Sequence, residues 1–360
     1  MELIPGLPND VARECLIRVT YQYFSAVPDV CKAWKHEIGS SQFHQLRKNS
    51  GLSQTIVVLA QADPVPVSES AGKYSPVPAY WLNTYEPETG TWDRLPAIPG
   101  YPNGIPLFCQ CAGVGRSLVV IGGWNPVTWE VSNAVYVYDF TTATWRRGSN
   151  MPGPLRSLFA CASDSDRTVF VAGGHDQEKN ALSSAFAYDV AYDKWVQIID
   201  MERQRDECKG IFTGGKFHVI GGYSTHMQGK FEKSVEVYDT LTSTWVQVDK
   251  DFMETGTCPK TCVTTEEGTM YRCTSGNIEV LMNGDLWRKI AEVPEDIRVG
   301  LHVVTWQDKL LVTGSDRYGG SCNTYVFEFG KGKAKEKYWK KVETPNDFSG
   351  HVQIGCSLEM

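Results

Sequence analysis

Short apolar runs recur along this chain, each ending in a glycine doublet. An alternating apolar–polar run ending in Tyr-Asp then follows, with a Thr-rich or Asp-containing turn and a tryptophan after it. The clearest copies read VVIGG…VYVYDFTTATW, VFVAGG…AFAYDVAYDKW and FHVIGG…VEVYDTLTSTW. Their doublets are Gly122-Gly123, Gly173-Gly174 and Gly221-Gly222, and the interval between copies is about 50 residues. Within one copy, LFCQCAGV, SLVVIGG, AVYVYDF and TWRRG read as successive strands broken by turn residues. Such a unit is a small antiparallel sheet that cannot bury both faces alone, and stacking its copies around an axis gives a β-propeller.

The strong copies set a register in which weaker ones become visible. YWLNTYEPETGTW ends at Trp92 without a doublet, TMYRCTSGNIEVLMNGDLW is a short eroded copy ending at Trp287, and LLVTGSDRYGG places Gly314-Ser315 at the doublet position ahead of Trp339. Six blades are predicted. One strand is left over, GHVQIGCSL at the C-terminus, while the first copy, starting near Gln54, lacks an inner strand. The C-terminal strand is therefore expected to complete the first blade and close the ring, removing exposed sheet edges. The doublets serve close backbone approach or positive φ near the axis. Tyr138, Tyr188 and Tyr238, with Trp145, Trp195 and Trp245, are expected to fill the wedges between blades.

Residues 1–47 follow a different period and form a separate unit ahead of the propeller at 52–360. Val11, Cys15 and Val19 recur at helical spacing with Ala12 and Leu16 beside them, behind an Asn9-Asp10 cap. A second helix is predicted to open at Pro28-Asp29, with Val30, Trp34 and Ile38 on one face, and a third carries Phe43 and Leu46. The fold class is thus mainly β: a six-bladed propeller preceded by a small three-helix domain. Two loops, ADPVPVSESAGKYSPVPA and the basic GKGKAKEK, are expected to be solvated.

The net charge of −7 argues against a nucleic-acid surface, which needs a basic stripe. No apolar run reaches the length of a membrane span, and MELIPGLPND has neither part of a secretory signal. The 11 cysteines follow no regular spacing, which fits a reduced, intracellular protein and no metal or other cofactor.

LPNDVARECLIRV…VPDVCKAWKHEIGSSQFHQLR resembles an F-box, and the period of the repeats is that of kelch blades. The combination is similar to plant F-box proteins with kelch repeats over nearly the whole chain. The opening IPGLPNDVARECLIRV is like a subfamily implicated in turnover of phenylalanine ammonia-lyase and cytokinin response regulators. The resemblance implies a non-catalytic substrate receptor of an SCF ubiquitin ligase in the cytoplasm, the nucleus or both. A Skp-type adaptor would link it to a cullin and a RING protein. Candidate adaptor contacts are Leu7, Pro8, Leu16, Val30, Cys31 and Trp34, some of which must be core, Trp34 first among them. In peptide-capturing kelch propellers the residues after the doublet and an Arg before the inner strand line one face. Here those positions hold Trp124, Asn125, His175, Tyr223 and Arg317, with Arg156, Arg205 and Arg298 some 16 residues ahead of the doublets. Converging arginines suit carboxylates on a protein target.

Some kelch propellers are enzymes, including copper radical oxidases and iron-assisted specifier proteins. No zinc-ligand spacing, nucleophile elbow, P-loop or dinucleotide fingerprint appears in this sequence. The alternative to a ligase receptor is a free-standing interaction scaffold.

Overall fold

The chain is described by a computed structural model over residues 2–64, 78–249, 251–274, 276–282, 286–329 and 338–360. Most of the two loops singled out above, at 65–77 and 330–337, lies outside the described residues. Three helices, α1 (Asn9–Leu16), α2 (Lys32–Ile38) and α3 (Ser41–Asn49), precede six sheets of four strands each. The first blade runs, from the axis outward, Val352–Glu359, Thr55–Ala62, Tyr80–Glu86 and Thr91–Arg94. Its innermost strand is the C-terminal one, paired antiparallel with Thr55–Ala62. The ring closes as the leftover strand predicts. Blades two to six begin at Gln110–Val114, Ala160–Ser163, Lys209–Thr213, Val263–Thr264 and Val299–Trp306. The fifth is the eroded one, and its inner strand is only two residues long.

Each Tyr-Asp…Trp element is a hairpin in which Tyr and Trp are cross-strand partners, as at Tyr138↔Trp145, Tyr188↔Trp195 and Tyr238↔Trp245. The rings meet with centroids 5.1, 4.8 and 5.4 Å apart. The indole N–H has a further role. In every blade it donates to a backbone carbonyl just beyond or at the end of the previous blade's last strand. Trp145 reaches Pro96 O at 2.9 Å, Trp195 Ser149 O at 2.9 Å, and Trp245 Ile199 O at 2.6 Å. Trp287 reaches Phe252 O at 2.7 Å, Trp339 Glu292 O at 2.8 Å, and Trp92 Glu343 O at 3.2 Å. The last of these joins blade one to blade six. Near the axis the inner strands almost touch: a Cβ on Gly210 would lie 2.6 Å from Cys161 N in the next blade.

The helices differ from expectation in two places. The buried stripe of α1 is Ala12 and Leu16, while Val11 and Cys15 point to solvent. Asn9 does not cap it: Pro8 holds the cap position, and Asn9 Oδ1 accepts from Leu3 N at 2.9 Å. The second helix does not open at Pro28-Asp29. Val27–Asp29 is a single 3-10 turn, Cys31 is extended (φ −166°), and α2 starts at Lys32. Val27 stays helical ahead of Pro28; the break comes at Cys31, whose extended backbone ends the short turn before the chain restarts at Lys32. Ser40 caps α3 by accepting from Phe43 N at 3.1 Å.

The helical domain shares a hydrophobic core with blades one and two: Leu16, Phe24 and Phe43 cluster with Ile56, Leu118 and Met360. Arg47, 1% exposed, pins the junction. Its guanidinium donates to Ile17 O (2.5 Å), Val19 O (2.6 Å) and Leu52 O (2.9 Å), reaches Met360 O, and lies over the Phe24 ring. Arg116 adds a bond to Gly39 O at 2.7 Å, and Gln22 one to Glu86 at 2.8 Å. Arg116 and Glu86 sit in turns opposite the doublet loops, so the helices cover one face of the ring and the doublet loops form the other.

Candidate functional site

The helical domain leaves apolar side chains in water. Leu7 is 37% exposed and Val30 60%, and Pro8 and Cys31 are exposed as well. These exposed apolar groups make this side of the domain the candidate surface for a partner. Leu16 does not belong to that surface: it is 1% exposed and packs in the shared core, because the helix turns the Ala12–Leu16 face inward. Trp34 is half-buried against the same core, and its indole N–H donates to Leu3 O at 2.6 Å. Two exposed residues escaped the sequence reading, Val11 at 44% and Tyr23 at 64%. The spacing predicts Val11 on the apolar stripe of the first helix, and the helix phase turns it outward; Tyr23 ends a 3-10 turn that carries no periodic signal.

On the doublet face the arginine cluster dissolves. Arg156 and Arg205 are both 0% exposed and do not reach the mouth. They do the same structural task in neighbouring blades. Arg156 Nη1 donates to Gly173 O and Ser184 O (both 3.1 Å), and Nη2 to Ser184 Oγ at 2.7 Å. Arg205 repeats this with Gly221 O (2.6 Å), Ser234 O (3.3 Å) and Ser234 Oγ (2.8 Å), and adds Glu236 at 2.9 Å. The doublets hold positive φ, for example 70° and 81° at Gly173 and Gly174, and their turned backbone leaves carbonyls that need buried donors. The arginines supply them. Burial lowers the pKa of Arg156 to about 10. Arg298 is half-buried, bonded to Val293 O at 3.2 Å, and Arg317 is exposed.

His175 is buried too. Its Nε2 lies 2.9 Å from Ser157 Oγ and its Nδ1 2.8 Å from Asp206 Oδ1. That is the order of a serine-nucleophile relay. Here Ser157 is 0% exposed, and its N–H and that of His175 donate to each other's carbonyls. The arrangement ties blade three to blade four. Tyr223 is 5% exposed, and its hydroxyl donates to Glu207 at 2.8 Å.

The open groups on this face include several aromatic ones. Trp124 is half-buried, with Lys179 Nζ 4.7 Å from its ring centre and His175 edge-on at 6.5 Å. Asn125 shapes the loop: its Oδ1 accepts from Val127 N at 2.8 Å and Thr128 N at 3.1 Å. That loop carries Trp129, 50% exposed, and the strand entry beside it carries Phe108, 43% exposed. Phe108, Leu158 and Glu207 occupy the same place in three successive blades, and all have left-handed φ, 56°, 54° and 50°. A non-glycine residue held there costs roughly 1–2 kcal/mol.

Comparison with known proteins agrees with this architecture. Residues 108–289 match a family model described as the KLHDC2/KLHL20/DRC7 Kelch-repeats domain. Over the full length of both chains, the sequence is 46% identical to F-box/kelch-repeat protein At1g15670 of Arabidopsis thaliana. It is 44% identical to F-box/kelch-repeat protein At1g80440 of the same plant, again over both full lengths. F-box/kelch-repeat protein At2g44130, also from Arabidopsis thaliana, is 39% identical over 72% of this chain and 68% of its own. With its helical domain fastened beneath a closed six-bladed ring, this chain belongs to the plant F-box/kelch-repeat proteins.

Proposed function

We propose that this protein is the substrate-recognition subunit of an SCF (Skp-cullin-F-box) ubiquitin ligase. The helical domain docks on a Skp-type adaptor, which brings in the cullin and RING subunits, and the propeller holds a target protein for ubiquitination and degradation. The chemistry of transfer belongs to the other subunits. This chain contributes proximity, raising the effective concentration of a target lysine near the charged conjugating enzyme. The observation that carries the reading is the pairing of exposed Leu7 and Val30 on a domain that is fastened, through buried Arg47, to a ring whose other face the helices leave uncovered. We propose residence in the cytoplasm, the nucleus or both. The resemblance of the opening segment supports phenylalanine ammonia-lyase or a cytokinin response regulator as the target. Proximity labelling with the proteasome blocked, followed by in vitro ubiquitination, tests that choice.

The receptor role is tested by co-purification with a Skp-type adaptor. Leu7→Asp and Val30→Asp should each abolish adaptor capture without shifting the melting temperature, because both side chains are exposed. No capture by the wild-type protein would leave a free-standing scaffold as the better reading, and unchanged capture in the double variant would move the adaptor contact off Leu7 and Val30.

A further inference from the structure

The inner strands of four blades, with the turns that lead into them, bring two lysines and two histidines to the throat on the doublet face. Lys209 is the first residue of Lys209–Thr213 in blade four, Lys260 lies in the turn before blade five's inner strand, His302 is on blade six's, and His351 immediately precedes blade one's. Lys209 heads the innermost strand of blade four and is half-buried there, next to Gly210, whose backbone packs on Cys161 of blade three.

Among the described residues neither Lys209 nor Lys260 forms an ion pair or a side-chain hydrogen bond. The acids next to Lys209 in sequence are held by other partners, Glu207 Oε1 accepting from the Tyr223 hydroxyl and Asp206 Oδ1 lying against His175. His302 is 5% exposed, and its Nε2 has no hydrogen-bond partner. Its pKa is driven well down by burial, and then by Lys209, Lys260 and His351 in turn. Burial lowers the Lys209 pKa, and a carboxylate brought beside it would favour the charged ammonium again. The opposite half of the mouth is apolar: Phe108, Trp124 and Trp129 stand on blade two.

We propose that the mouth is a two-part site for a short acidic segment of the target protein. An Asp or Glu carboxylate enters the throat to meet Lys209, with Lys260 at the rim, and a neighbouring apolar side chain lies on Phe108, Trp124 and Trp129. This rests on the receptor reading and assigns its target chemistry. It moves recognition from the buried arginines to a lysine that has water access. A charge-assisted bond formed out of bulk water gives the specificity, and the aromatic half adds contact area at low entropic cost.

The test uses the full-length protein and fluorescein-labelled peptides of three kinds: alternating Glu and Leu, alternating Lys and Leu, and alternating Glu and Ser. Fluorescence anisotropy should show the Glu–Leu peptide bound most tightly, with affinity falling as salt rises. Lys209→Met, which keeps the aliphatic stem, should weaken it about tenfold or more. Lys260→Met should weaken it less, and Lys194→Met, on an outer strand, should leave it unchanged. Phe108→Ala should reduce the advantage of Glu–Leu over Glu–Ser. Equal binding of the Lys–Leu peptide, full affinity in Lys209→Met, or no binding of Glu–Leu by the wild type would each overturn the proposal. Adaptor co-purification on the same samples distinguishes this from failure of the receptor reading, since an intact adaptor complex without acidic-peptide binding sinks only the throat site. Melting curves of each variant confirm that it is folded.

Discussion

Replacing Arg205 should damage the scaffold and not recognition. The guanidinium is 0% exposed and pairs at 2.9 Å with Glu236, itself 1% exposed. Arg205→Met removes the cation and keeps much of the volume. It leaves a carboxylate buried without its counter-ion, and it strips the donor from Gly221 O and the Ser234 hydroxyl. Breaking a buried pair from one side costs about 3–5 kcal/mol. Glu236 keeps one other donor, Glu202 N at 2.7 Å, which holds the cost within that range. Adding Glu236→Leu removes the stranded charge, so the double variant should recover most of the loss, a coupling that a double-mutant cycle measures directly. The assay is urea unfolding of the full chain followed by tryptophan fluorescence, with adaptor capture as a control for the helical domain. A loss under about 1 kcal/mol, or lost target capture at unchanged stability, would refute the reasoning and return Arg205 to the recognition surface.

Two further outcomes follow from the same kind of accounting. Gly210→Val places a side chain 2.6 Å from Cys161 N at the crowded axis, and it should destabilise the ring by several kcal/mol, read as a fall in the urea midpoint. Acid should destabilise the helical domain through His44, whose pKa burial lowers from 6.5 to about 4. Above pH 6.5 both folded and unfolded forms are neutral. Between 6.5 and 4 the unfolded chain takes the proton first, so stability falls by up to about 3 kcal/mol, and His44→Leu should flatten that part of the profile.

Much of the ring was legible because its signals are steric and repeat. The three complete copies set the register, and that register exposed the eroded blades and the displaced C-terminal strand. The arginines misled because a charge at a fixed offset from a doublet reads equally well as a rim ligand or a carbonyl cap. What separates the two is a second residue: Ser184 and Ser234 immediately precede the third strands of blades three and four and bind the matching arginine. Blade six has no serine at that place, and Arg298 is correspondingly freer. The Lys209 throat was not legible, because it assembles from blades far apart in sequence. The phase of α1 was lost for a simpler reason: on eight residues, two apolar stripes fit equally well, and only packing against blades one and two chooses between them.

The six indole clasps join every blade to the one before it, including the first to the last. An open row of repeats can fray from either end, one unit at a time. A circular row has no end from which to start, because any blade that leaves must break two clasps and expose two neighbours. The molecule should therefore unravel all together or remain whole, and variation in the doublet loops would not propagate into the hoop that supports them.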